Sequence, residues 1–178
     1  AIPVSARHVV VGLLERGCQD LRDGTGKAAG GQLAIKADHL IRRHRRRGRA
    51  KHDGARQRLA MVEAAIAGEP GLVADGREVG RRGPSYSYDT LRSLRAELGH
   101  ALPICLLVGA DAFNGFLTWH RPADILALAH LVVMDRPGAP APEDPLLLDL
   151  LAEHGSDAAE DLRATPGGRI LRKRVTQL

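Results

Sequence analysis

Apolar residues recur at helical spacing in several segments of the chain. In the first of these segments, Leu59, Val62 and Ile66 fall on one helical face. Residues 121–130 carry a proline near the first predicted turn, and residues 145–154 are rich in leucine. Both of these segments therefore also predict helices.

Another helix is predicted after the loop 84–89, whose sequence is PSYSYD. Leucines at helical spacing follow this loop, and Gly99 is placed to end the helix. Ser87 or Asp89 is the expected N-cap, because short side chains with an acceptor oxygen can bond the free N–H groups of a first helical turn.

Apolar runs between the helices predict strands. Residues 104–108 and 131–134 are the clearest, since an unbroken apolar run is typical of a parallel strand that is buried on both faces. Further strands are expected in residues 8–14, 71–79 and 168–178. Because strands alternate with helices, the predicted fold class is α/β, with a single domain built on a Rossmann-like, doubly wound parallel sheet.

Basic residues are concentrated near the start of the 178-residue chain, whose net charge is +5. Residues 1–58 hold 14 Lys or Arg against 5 Asp or Glu, whereas residues 59–178 hold 12 against 16. All five aromatic side chains lie between positions 86 and 119. This contrast divides the chain into an atypical basic segment, 1–57, and the Rossmann-like domain, 58–178.

Three interpretations of residues 1–57 stay open. The segment is explained first by out-of-frame translation of a GC-rich gene, second by a disordered basic stretch, and third by binding to nucleic acid or another polyanion. The absence of aromatics disfavours sequence-specific RNA binding. Residues 24–31 resemble a phosphate loop only faintly, because Leu21 and Ala28 replace the glycine and the hydroxyl residue of that motif.

The composition favours a cytoplasmic protein. No apolar run reaches the roughly 18 residues of a membrane span. The first residues show neither a basic leader nor a clear cleavage site, so no signal peptide is expected. Cys18 and Cys105 predict neither a disulfide framework nor a zinc site. No sequence feature specifies an oligomeric state.

Ligands in such sheets bind beyond the carboxyl ends of the strands, which selects the loops 109–119 and 135–138. If the two preceding strands are parallel, Asp111 and Arg136 share one edge. Asp111 could then accept hydrogen bonds from sugar hydroxyls, and Arg136 offers a charged fork for phosphate. Gly109 would allow a tight turn and a close approach of ligand.

Three more side chains complete the candidate site. Trp119 could stack on a planar, cationic pyridinium ring. Tyr86 and Ser87 supply hydroxyls just before a helix N-terminus, where anions are favoured. Structural roles compete with these functions, because a lone tryptophan is often a core residue, Asp111 could cap a helix, and Arg136 could belong to a surface turn.

Four motifs occur together in the second part of the chain: PSYSYDTL, VGADAF, TWHR and DRPG. In this order and spacing they resemble the bacterial nicotinate-nucleotide adenylyltransferases, over residues 58–178. The resemblance implies a nucleotidyltransferase of NAD biosynthesis that transfers AMP from ATP to nicotinate mononucleotide. The products would be deamido-NAD and pyrophosphate, and Mg²⁺ would assist.

The resemblance also implies roles for individual residues. Trp119 would stack on the nicotinate ring, and Ser87 and the backbone near His120 would meet its carboxylate. In that family a second aromatic often follows the tryptophan, and His120 occupies this place. The ribose and nucleotide path would be lined by Gly109, Asp111 and Arg136.

Two ATP-binding motifs of that family are not found in the printed sequence. They are Gly-Gly-Thr-Phe-Asp-Pro-x-His-x-Gly-His and Ile-Ser-x-Thr-x-x-Arg, whose histidines, hydroxyl and arginine hold the triphosphate. The catalytic residues therefore stay unassigned, and the sheet would be incomplete. The sequence predicts either an adenylyltransferase, with full or impaired activity, or a non-catalytic protein of the same fold that binds a nucleotide or a polyanion.

Overall fold

A computed structural model describes residues 9–13, 33–36, 51–68 and 72–174 of the chain. The strands are β1 (Val9–Leu13), β2 (Leu33–Lys36), β3 (Leu72–Asp75), β4 (Ile104–Gly109), β5 (His130–Asp135), β6 (Gly155–Ser156) and β7 (Ile170–Arg174). The helices are α1 (Lys51–Ala65), α2 (Ser87–Leu98), α3 (Ala110–Phe113), α4 (Pro122–Leu128) and α5 (Pro145–His154). Short 3₁₀ turns occupy Phe116–Thr118 and Ala159–Arg163.

The seven strands form one sheet in the order β3-β2-β1-β4-β5-β7-β6. Strand β1 is antiparallel to both of its neighbours, β2 and β4, and every other pairing is parallel. The predicted α/β fold class with a largely parallel sheet is confirmed, and the reversed β1 is a difference in detail. An apolar run favours a strand, but it carries no information on direction, because both kinds of pairing satisfy the backbone.

Helices and turns cover both faces of this sheet, as the apolar pattern of β4 and β5 predicts. Side chains alternate along a strand, so Ile104, Leu106 and Val108 enter one buried cluster. Cys105 and Leu107 belong to a second cluster, on the other face. The larger cluster also contains leucines of α2 and the aromatic residues that follow β4. The candidate site therefore borders the larger core.

Several sequence predictions need correction or extension. Helix α2 begins at Ser87 with the extended Tyr86 as its N-cap and no side-chain cap, so the predicted caps at Ser87 and Asp89 are wrong. The carbonyl of Tyr86 accepts the N–H groups of Asp89 and Thr90 instead. Helix α1 begins at Lys51 and crosses the predicted division between 57 and 58, which stays a prediction.

Strands β2 and β6 and the second 3₁₀ turn were not predicted, because each is too short to show a period. The glycine-rich stretch 24–31 and the basic residues 42–49 lie outside the described residues. The three interpretations of residues 1–57 therefore stay open.

A buried histidine joins the amino-terminal end of β5 to the loop before β7. His130 is fully buried, and its Nδ1 accepts the backbone N–H of Arg169 at 3.1 Å. Its Nε2 therefore carries the proton and donates to the carbonyl of Thr165 at 2.8 Å. The ring has the right hydrogen-bond partners for its neutral form.

We expect the protein to lose stability in mild acid because of this histidine. Burial lowers the pKa of His130 below its ordinary value of 6.5. Above about pH 6.5 both the folded and unfolded states hold a neutral ring, so the stability is fully present. As the pH falls below that value the unfolded state binds the proton first, and the free energy of unfolding falls.

Urea unfolding between pH 7.5 and 5, on the chain and on His130→Gln, measures this effect. The substituted protein should be less stable at pH 7.5 and should lose less stability on acidification. Equal losses in the two proteins would show that His130 does not contribute to the pH dependence.

Candidate functional site

The carboxyl ends of β4 and β5 bring two of the predicted site residues together. Asp111 lies in the first turn of α3, directly after β4, and Arg136 follows β5. Arg136 Nη2 donates to Asp111 Oδ2 at 2.6 Å. Both side chains are more than half exposed, at 63% and 57%. An exposed pair contributes only about 0–1 kcal/mol, so a phosphate or a sugar hydroxyl could replace either partner at small cost.

Gly109 does not form the tight turn that the sequence predicted. Its φ of −72° and ψ of 154° are extended values that any residue adopts. A Cβ atom at this position would have no neighbour within 4 Å. Gly109 therefore borders open space at the carboxyl edge of the sheet, which leaves room for close approach of a ligand.

Asn114 lies within the loop 109–119, and sequence reasoning did not single it out. Its amide Nδ2 donates to the carbonyl of Pro140 at 3.2 Å. Its Oδ1 is buried and has no partner within the described ranges. Nothing in the sequence distinguishes this asparagine from an ordinary loop residue.

Trp119 lies in the core, with 6% of its surface exposed. Its ring meets the ring of Phe116 edge-on, at 5.5 Å between centroids. Phe116 in turn packs against Phe113 in α3. Trp119 therefore has the core position that competed with a ligand role in the sequence analysis, and its stacking on a ligand ring stays a prediction.

Ser87 is the first residue of α2 and is 3% exposed. Its Oγ is buried and has no hydrogen-bond partner in the described part of the chain. A buried hydroxyl without a partner is unfavourable and uncommon in folded proteins. Beside the free N–H groups of a helix N-terminus, it is suited to an anionic ligand.

Ring contacts join the loop that holds Ser87 to the turn that follows Trp119. Tyr86 stacks on His120 with 4.4 Å between ring centroids and 30° between ring planes. Tyr88 meets His120 edge-on at 6.0 Å. The structure therefore brings together the loops of Ser87 and His120, as a shared ligand would require.

Arg121 was also missed by the sequence analysis. Its φ is 59°, in the left-handed region, and it is the N-cap of α4. Its hydrogen bond with Asp124, at 2.7 Å, raises the pKa of the guanidinium. Its place before Pro122 gives no signal of this conformation, because a residue that precedes a proline is biased toward extended backbone.

No group of three or more His, Cys, Asp or Glu side chains in the described part of the chain could hold a metal ion. None of its helices has the length and apolar character to cross a bilayer.

The described residues form an α/β domain whose charged and ring-bearing loops lie at the carboxyl edge of a largely parallel sheet. A sequence model described as cytidylyltransferase-like matches residues 51–163. The chain belongs to the cytidylyltransferase-like family.

The chain is also similar to proteins that are named probable nicotinate-nucleotide adenylyltransferase. The Marinobacter nauticus protein is 43% identical over 78% of this chain and 65% of its own length. The Stenotrophomonas maltophilia protein is 46% identical over 66% of this chain and 56% of its own. The Pseudomonas aeruginosa protein is 47% identical over 65% of this chain and 54% of its own. The chain thus spans between about half and two thirds of the length of these relatives.

Proposed function

We propose that this chain belongs to an enzyme that transfers AMP from ATP to nicotinate mononucleotide. The products are deamido-NAD and pyrophosphate, as in NAD biosynthesis. Support comes from the names of the similar proteins and from the family match. The four motifs that suggested the resemblance all lie in the described part of the chain.

The environment of Ser87 is the observation that carries the proposal. A buried hydroxyl that has no partner among the described residues, at the start of a twelve-residue helix, suits a carboxylate. The stack of Tyr86 on His120 brings the backbone after Trp119 to the same place. A carboxylate on an aromatic ring would then meet donors from both loops, and the ring itself would approach Trp119.

The reaction needs positioning more than covalent help from the protein. The phosphate oxygen of nicotinate mononucleotide attacks the α-phosphorus of ATP, and the bond from that phosphorus to the leaving pyrophosphate breaks. Charge accumulates on the phosphate oxygens during this step. In our proposal, Asp111 accepts a hydrogen bond from a ribose hydroxyl. Arg136 exchanges its hydrogen bond with Asp111 for one with a phosphate oxygen.

Nucleotidyltransferases of this kind generally use a divalent metal. We propose Mg²⁺, arriving with the phosphates of ATP and neutralising part of their charge. Asp111 is the acidic residue of the candidate site, and its carboxylate pairs with Arg136 at this edge. We also propose a cytoplasmic location, where ATP is available.

Titration of the chain with nicotinate mononucleotide, followed by Trp119 fluorescence, tests the proposal. Trp119 is the single tryptophan of the sequence, so any quenching is local to the candidate site. ATP and Mg²⁺ are then added, and pyrophosphate release is assayed. Saturable quenching followed by pyrophosphate release supports the transferase. No quenching at millimolar ligand contradicts it.

A second candidate function is binding of the mononucleotide without AMP transfer. The two observations that support the proposal, the buried Ser87 hydroxyl and the stack of Tyr86 on His120, concern the mononucleotide and not the triphosphate of ATP. Saturable quenching without pyrophosphate release would favour this second function over the first.

Replacement of Gly109 by alanine should weaken nucleotide binding without harming the fold. An alanine fits the observed φ and meets no atom within 4 Å, so the free energy of unfolding should rise by about 0.4–1 kcal/mol. The new methyl group would lie where we expect the nucleotide, and the Kd for nicotinate mononucleotide should rise about tenfold, or about 1.4 kcal/mol.

Gly167→Ala is the matched control for Gly109→Ala. A Cβ at Gly167 would lie 2.8 Å from the backbone nitrogen of Ala129, so this variant should lose about 1–3 kcal/mol of stability. If Gly109→Ala binds nicotinate mononucleotide as tightly as the parent chain, the space beside Gly109 is not part of the site.

A further inference from the structure

The backbone of Arg121 has a conformation that is rare for residues other than glycine. It is the single non-glycine residue with a positive φ in the ranges that the structure describes. This strained residue directly follows Trp119 and His120. Such conformations persist where surrounding contacts fix them, and they are frequent at ligand-binding sites.

The side chain of Arg121 crosses from its own turn to the start of α2. Its Nε bonds Asp124 at 2.7 Å, and its Nη1 donates to the hydroxyl of Tyr88 at 2.9 Å. The guanidinium carbon lies 4.4 Å from the centre of the Tyr88 ring. Tyr88 also meets the edge of His120. These contacts couple the first turn of α2 to the turn before α4.

We propose that Arg121 is a positioning residue that sets the preference for nicotinate over nicotinamide mononucleotide. It acts through Tyr88, which holds the loop of Ser87 against the turn of His120. The inference rests on the proposed function and adds a determinant of specificity to it.

The preference follows from the geometry of the donors. A carboxylate accepts from Ser87 and from the backbone near His120 only while the two loops keep a fixed separation. Charge-assisted hydrogen bonds are about twice as strong as neutral ones, so a looser separation weakens an acid more than an amide. Arg121 itself is already bonded to Asp124 and Tyr88, and it acts without touching the ligand.

Arg121→Gly and Tyr88→Phe test the inference. Glycine adopts a positive φ without strain, so Arg121→Gly removes the side chain and keeps the backbone. Tyr88→Phe removes one hydroxyl and keeps the ring. Kd values for nicotinate and nicotinamide mononucleotide are measured by Trp119 fluorescence.

In each variant the Kd for the acid should rise about fivefold, while the Kd for the amide changes less than about twofold. The Kd of the double variant for the acid should be no higher than the higher of the two single-variant values, because both groups act through one contact. Arg92→Ala is the matched control. Arg92 lies over the same Tyr88 ring at 6.0 Å, and its loss should leave both Kd values unchanged.

One result would overturn the inference alone, namely an unchanged ratio of the two Kd values in variants of a chain that prefers the acid. If both Kd values rise equally and the Tm falls, the contacts of Arg121 have a general structural role instead. A parent chain that binds neither ligand, or that lacks the acid preference, would overturn the inference and also count against the proposed function.

Discussion

Arg95→Met should unfold at a much lower urea concentration than the parent chain. Arg95 is 4% exposed, and burial lowers the pKa of its guanidinium. Its N–H groups donate to the carbonyls of Gly99, Leu102, Leu128 and Pro166. Methionine fills similar volume but leaves these carbonyls without a donor. At about 1–3 kcal/mol for each buried group left unpaired, the loss should be about 3 kcal/mol or more.

That loss is large because one side chain joins four separate parts of the fold. The bonded carbonyls belong to the end of α2, the loop before β4, the end of α4 and the loop before β7. Typical domains are stable by only about 5–15 kcal/mol, so the variant would be close to unfolding.

Arg92→Met is the control for Arg95→Met, because Arg92 lies on the same helix and is exposed. Its stability should stay within about 0.5 kcal/mol of the parent chain. Urea unfolding, followed by circular dichroism, gives both values if the slope with urea is unchanged. Equal unfolding midpoints in the two variants would mean that the Arg95 bonds do not stabilise the fold.

Arg95 also illustrates what a local sequence pattern cannot predict about this fold. The leucines of α2 have a helical period, which predicted the helix and its buried face. Arg95 falls among them on that face, yet its partner carbonyls lie up to 71 positions away. A local pattern indicates burial, but it cannot indicate which distant carbonyls will meet a buried guanidinium.

The same limit applies to the candidate site. Parallel strands place their carboxyl ends together, so the shared edge of Asp111 and Arg136 could be predicted from two apolar runs. The hydrogen bond between these two side chains could not be predicted in the same way, because the sequence analysis assigned a sugar hydroxyl to Asp111 and a phosphate to Arg136. The stack of Tyr86 on His120 depends on how α2 packs against α4, which no local period contains.

Ser87→Ala should weaken ligand binding while leaving the protein as stable as before, or slightly more stable. The Ser87 hydroxyl is buried and has no partner in the described part of the free chain, so its removal breaks no bond there. In our proposal it donates to the nicotinate carboxylate. A hydrogen bond to a charged group contributes about 1.5–3 kcal/mol, so the Kd for nicotinate mononucleotide should rise about 10- to 100-fold.

Ser93→Ala, on the same helix, should lower the stability of the protein and leave ligand binding unchanged. The Ser93 hydroxyl already accepts from Arg77 Nη1 at 3.0 Å. Its loss should lower stability by about 0.5–1.5 kcal/mol and leave the Kd unchanged. Thermal unfolding and fluorescence titration of both variants separate the two roles. If Ser87→Ala loses stability and keeps its affinity, the hydroxyl of Ser87 is structural, and the carboxylate must be bound elsewhere.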